Sequence, residues 1–171
     1  MFNIDDIAVV RGGGSNYEAR VDDRDTSSAT ATLKRGEPVK RNNANFALLV
    51  ATGDPEIATD ILLGIATSES TETASAEGTV NVLQIVPGTV LRGKATTSTN
   101  MNTAALLNGL RFDYVTFDVT SSNVTIDEDE GDDPNSQGLC ILDGDIVDGT
   151  LEVAVHVNVT LSGSLVGQTI D

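Results

Sequence analysis

The chain has 171 residues, 39% of them apolar and 4% aromatic, with no tryptophan and one cysteine. That length suffices for one domain with a buried core resting on Val, Ile, Leu and Ala, and a single cysteine excludes an intrachain disulfide. The formal charge is −16, and because residues 1–41 hold seven basic and seven acidic residues, the whole excess falls on residues 42–171. A body so acidic repels nucleic acid and anionic membranes, so neither is expected as a partner. No apolar run reaches the length of a membrane span. Asp5 and Asp6 stand where a secretory signal needs basic residues, so no such signal is expected.

Residues 1–30 read as an extended N-terminal arm, and residues 31–171 as a single β domain. Within the arm, Ile4, Ile7, Val9 and Val10 make one short strand or dock on a partner. Gly12-Gly13-Gly14 and a polar stretch ending in Thr26-Ser27-Ser28 follow, a composition that orders only against something else. From Ala31 the period is two. Strands are predicted around Leu33, over 36–39, over 46–50 and over 61–66, with a turn at Gly53-Asp54-Pro55 and a polar loop or wide hairpin over 67–77. Residues 80–86 and 89–95 predict a hairpin across Pro87-Gly88.

The one helix candidate spans 102–110, with Ser98 or Thr99 as its cap and Leu106, Leu107 and Leu110 on one face. Phe112 and Tyr114 differ in parity from Phe117 and Val119, which predicts a β-bulge near Val115-Thr116. Val124 and Ile126 continue a strand, and 139–142 form another. Asp143-Gly144 and Asp148-Gly149 are turn signals. In the last strand Leu151, Val153, Val155, Val157, Val159 and Leu161 share one face. The pattern predicts an all-β fold, a compact β-sandwich or small barrel of tulip-like or jelly-roll-like type with one short helix.

Chemistry-bearing residues are few. His156 is the only histidine and sits on the polar face of a strand, with no nucleophile elbow in the chain. Cys140 lies in an apolar run, as an inert buried thiol does. Gly12-Gly13-Gly14 lacks the Lys-Ser/Thr ending of a phosphate loop. Residues 127–133 carry six carboxylates in seven positions, and Asp127, Asp129, Asp132 and Asp133 are candidate calcium ligands. Their spacing departs from an EF-hand loop, with Asp132 at the glycine position, and a solvated acidic loop is the plainer reading. Lys34, Arg35, Lys40 and Arg41 form a basic cluster suited to an acidic protein surface. No catalytic residue and no cofactor is expected.

The order Leu62-Leu63-Gly64-Ile65-Ala66, then Thr73-Ala74-Ser75-Ala76-Glu77-Gly78-Thr79-Val80-Asn81-Val82, then Pro87-Gly88, resembles the head decoration (cement) proteins of tailed bacteriophages. Lys34-Arg35-Gly36-Glu37-Pro38-Val39 is similar to the first body strand of that group. Gly138-Leu139-Cys140-Ile141-Leu142 with Asp143-Gly144 and the final Val-rich strand also fit. The resemblance covers residues 31–161 and leaves the arm outside it.

It implies a non-enzymatic virion protein, assembled in the host cytoplasm. Such a protein forms a homotrimer on the outer capsid surface and bridges major capsid protein subunits of the expanded shell. Ile4, Ile7, Val9, Val10 and Arg11 of the arm, with Lys34, Arg35, Lys40 and Arg41, are the expected capsid contacts. Two other readings stand beside it: a tail or baseplate β-module, and a calcium-dependent carbohydrate-binding or hydrolytic β domain using the acidic loop.

Overall fold

A computed structural model of the chain describes residues 7–12, 16–21, 30–41, 48–50, 61–73, 78–120, 123–129 and 138–156. The first strands are β1 (Ala8–Arg11), β2 (Asn16–Val21), β3 (Thr30–Leu33), β4 (Pro38–Arg41), β5 (Leu48–Val50), β6 (Ile61–Ala66) and β7 (Ser70–Thr73). Then come β8 (Gly78–Gln84), β9 (Val90–Lys94), a 3-10 turn (Ser98–Met101) and the helix α1 (Ala104–Leu110). The last strands are β10 (Tyr114–Thr120), β11 (Asn123–Asp127), β12 (Leu139–Asp145) and β13 (Thr150–Val155). The all-β class expected from the period-two pattern is what the chain adopts.

A six-stranded sheet has the order β1-β9-β13-β12-β10-β11, a five-stranded sheet the order β2-β8-β6-β4-β5, and β3 pairs with β7. Ala95, just past β9, makes a parallel bridge to Ile126 of β11, and Thr96 N donates to Ile126 O at 2.9 Å. This draws opposite sides of the six-stranded sheet together, curling it into a half-barrel. Inside lie Leu91, Phe117, Ile126, Leu139, Ile141, Leu151 and Val153, all at most 1% exposed. Each such side chain contributes about 1.5–3 kcal/mol through burial.

One expectation is corrected at the join between the sheets. Pro87-Gly88 is a turn: Thr89 N donates to Val86 O at 2.9 Å, and Gly88 has φ +82, which the third position of a type II turn requires. It does not make a hairpin. β8 pairs with β2 and β6, whereas β9 pairs with β1 and β13, so the turn passes the chain from one sheet to the other.

The N-terminal segment follows the same path in reverse. Ala8, Val9 and Arg11 pair with Arg92, Leu91 and Val90, and residues 16–21 pair in register with 83–78. The described parts of the expected arm are therefore edge strands of this molecule's own two sheets. Ile7 is 3% exposed and fills the space left by Gly93, where any Cβ would collide with Ile7 Cδ1.

Further along, the 67–77 loop contains β7, paired with β3. α1 is capped by Thr103 rather than Ser98 or Thr99, which begin the 3-10 turn; Thr103 Oγ1 accepts from Leu106 N at 3.3 Å. Seven residues are too few for a helix to persist alone, and buried Leu107 anchors it. Of the expected apolar face, Leu110 packs partly against the core, whereas Leu106 is exposed.

β10 pairs without a register shift, so no bulge lies at 115–116; Phe112 precedes the strand, and Tyr114 takes the face opposite buried Val115 and Phe117. Asp143-Gly144 is not a turn but continues β12, beside a register shift between Ile141 and Asp143. The turn expected at Asp148-Gly149 is present, closing β12 onto β13. Leu151, Val153 and Val155 share the buried face as expected, and residues 157–161 lie outside the described residues.

Candidate functional site

Residues of both sheets border a cleft of about 1020 Å³. Ala8 and Val9 of β1, Arg35 and Gly36, Ile65 of β6, and Arg92 and Glu152 of the six-stranded sheet all border it. The chain thus brings part of the expected N-terminal contact set, Val9, beside part of the basic cluster, Arg35.

The strand register explains the charges on its wall. Asp143 and Glu152 are direct partners between β12 and β13, an arrangement in which like charges repel. Each is neutralised by an arginine: Arg111 Nη2 donates to Asp143 Oδ1 at 2.6 Å, and Arg92, the β9 partner of Glu152, donates to Glu152 Oε1. Arg111 and the Gly144 N–H hold the Asp143 carboxyl below the usual carboxylate range. Asp145 Oδ1 accepts from Val147 N at 2.8 Å and Asp148 N at 3.2 Å, ordering the loop that follows.

The remaining expected contact residues divide sharply. Ile4 lies outside the described residues. Ile7 is corrected from a partner contact to a core residue, because its side chain is buried against Gly93. Val10 and Arg11 face solvent. The Lys34–Glu37 turn is bound at its base, with Gly36 N donating to Ala66 O and Ala66 N to Glu37 O, both at 2.9 Å. Lys34 is half-buried and Arg35 exposed at its tip. Lys40 and Arg41 lie in β4, between β5 and β6.

Of the calcium candidates, Asp132 and Asp133 lie outside the described residues. Asp127 Oδ1 accepts from Asp129 N at 3.1 Å, and Asp129 Oδ1 accepts from Asn100 Nδ2 at 2.6 Å. Among the described residues no group of three or more His, Cys, Asp or Glu side chains is placed to hold a metal ion.

The residue that sequence reasoning passed over here is Glu128. It is 7% exposed; its Oε1 accepts from Thr97 N at 2.9 Å and Asn100 Nδ2 at 3.2 Å, while its Oε2 is buried without a hydrogen bond. Burial pushes this carboxyl above the ordinary glutamate value, with the Asp129 charge adding to the shift.

Cys140 is half-buried rather than enclosed, and its Sγ lies 3.7 Å from Phe112 O. It pairs with Tyr114 on one side and Ala154 on the other, and the Tyr114 ring meets His156 edge-on at 5.6 Å.

A second surface lies along α1. Leu107 Cδ1 sits against Gly144, Arg111 binds Asp143, and Phe112 N donates to Ile141 O at 2.8 Å, so α1 runs antiparallel to β12. Phe112 is 71% exposed and Val147 88%, with Leu106 and Ile146 also exposed. Phe112 is the one non-glycine with positive φ (74°) among the described residues. That conformation costs a side-chain-bearing residue about 1–2 kcal/mol. No turn residue marked this position in the sequence, so neither the strain nor the exposure was legible there.

Such a surface, with apolar side chains displayed between fixed charges, can dock a protein. Comparison with family models, with curated proteins and with solved structures finds no match to the chain.

Proposed function

We propose that the chain is a decoration (cement) protein of a tailed-bacteriophage head. It binds as a homotrimer to the outer face of the expanded shell and bridges neighbouring major capsid protein subunits. The resemblance of residues 31–161 supplies the family. The observation that carries the reading is how the side chains of the described body are used. Carboxylates are tied into ion pairs and caps, as at Arg111–Asp143, Asp145 and Glu128, while Phe112 and Val147 are held out in solvent. A rigid acidic body with discrete apolar contacts suits attachment at many equivalent sites, where avidity multiplies weak contacts.

The capsid contacts of this reading are Val10, Arg11 and Arg35, the members of the expected set that are exposed among the described residues, together with the surface along α1. Co-sedimentation of the purified protein with undecorated shells tests it. Saturable binding to expanded shells, weaker on unexpanded ones, is the expected result; binding to neither rules the reading out.

A further inference from the structure

Among the described residues nothing covers the apolar side chains exposed along α1. Phe112 gains little from burial, since it is 71% exposed. Its backbone is nevertheless fixed in the left-handed region, with its N–H on Ile141 O and its carbonyl facing Cys140 Sγ. Glycine or asparagine would occupy that backbone with less strain. A phenylalanine kept there, in a chain with only four, is displayed. Leu106 lies on α1, and Ile146 and Val147 follow Asp145 near the opposite end of the helix. α1 is about 10 Å long, so the patch is small.

From this geometry we infer that Phe112 is the anchor by which each subunit docks on a repeating protein lattice, in an apolar pocket with a basic rim. The inference rests on the decoration reading and names the contact that reading needs. Charge selects the rim: residues 42–171, which include this surface, carry the whole −16, with Asp145 and Asp148 beside Ile146-Val147 at the end of α1 away from Phe112, so on this face a second copy would meet like charge. Size selects the lattice. Four exposed side chains fall well short of the roughly 1,200–2,000 Å² of a stable pairwise interface, whereas repeated sites make small anchors sufficient.

The test compares the full-length protein with its Phe112→Asn, Phe112→Gly and Val147→Ser variants in three measurements: urea unfolding, sedimentation velocity, and binding to undecorated expanded shells. The Phe112 variants are expected to unfold at the same or higher urea concentration, to keep the wild-type oligomeric state, and to bind shells at least about tenfold more weakly. Val147→Ser is expected to weaken binding in the same direction.

Wild-type protein that binds while the Phe112 variants bind equally well overturns the anchor and leaves the decoration reading standing. Variants that unfold more easily make Phe112 a structural residue. Variants that dissociate to monomers place it at the subunit interface. Wild-type protein that does not bind shells overturns the reading and the anchor together.

Discussion

At the scale of single residues, burial sorts groups that look alike in the sequence. Six carboxylates crowd residues 127–133, and spacing alone gives no reason to prefer one. Glu128 is distinguished by where β11 ends: its Oε1 holds the N–H of Thr97 and the Asn100 amide, and its Oε2 is sealed from water without a donor. Its folded-state pKa is raised, so folding favours the protonated form. The resulting stability is fully present below the unfolded value of about 4.3 and is lost as pH rises through the raised folded value. In Glu128→Gln this loss should disappear, flattening the urea midpoint against pH above about 4.3 relative to wild type. Parallel profiles for the two proteins would contradict the assignment.

Asp143 has the opposite sign. Arg111 lowers its pKa, so its contribution is present above the unfolded value of about 3.9 and fades as pH falls through the lowered one. Arg111→Ala leaves Asp143 beside Glu152 without its cation. The variant should lose more stability at low salt than at high salt, measured by thermal unfolding at the two ionic strengths. Equal loss at both would mean that the aliphatic part of Arg111, not its charge, matters.

At the scale of elements, Gly93 and Ile7 illustrate how a strand is admitted to a sheet. β1 has only three register partners on β9, and Ile7 enters the core solely because Gly93 has no side chain. Gly93→Ala should destabilise the protein by about 1–3 kcal/mol through overpacking against Ile7 and Ile126. Combining it with Ile7→Ala should recover part of that loss, which a double-mutant cycle in urea measures. Strict additivity would show that the two side chains do not compete for one space.

The strands were legible where alternation and burial coincide, as in β13, or where a short apolar run stands alone, as in β6. Pairing was not. Pro87-Gly88 announces a reversal of direction, but the same turn serves a hairpin and a passage between sheets; only Leu91 and Val82 packing in different sheets decides it. Asp143-Gly144 has turn composition yet stays in β12, because the register shift after Ile141 absorbs the irregularity that a turn would otherwise explain. The Thr103 cap was missed because Ser98 and Thr99 offer the same hydroxyl a few residues earlier.

At the scale of the whole molecule, the N-terminal segment changes role. Composition made residues 1–30 an appendage, since Gly12-Gly13-Gly14 and the polar stretch after it have no apolar period. In the fold, β1 and β2 shadow β9 and β8 across both sheets, so one ribbon ties the half-barrel to the five-stranded sheet. Removing residues 1–21 strips an edge strand from each sheet and takes Ile7 from the core. The truncated protein should lose at least about 2–5 kcal/mol, the cost of emptying one such core position, seen as an earlier and broader urea transition. An unchanged transition would return these residues to the status of a free arm. Among the described residues of this segment, Val10 and Arg11 of β1 are exposed and are the ones the proposed role would assign to a partner.

The proposed decoration role is tested most directly by a cryo-EM reconstruction of expanded phage heads assembled in the presence of this protein. In that role, β-rich density of this chain's size should lie on the outer face of the expanded shell, at three-fold and quasi-three-fold positions. In that density the α1 side of each subunit should face the major capsid protein. A bare outer shell, or the chain found in the tail or baseplate instead, would contradict it.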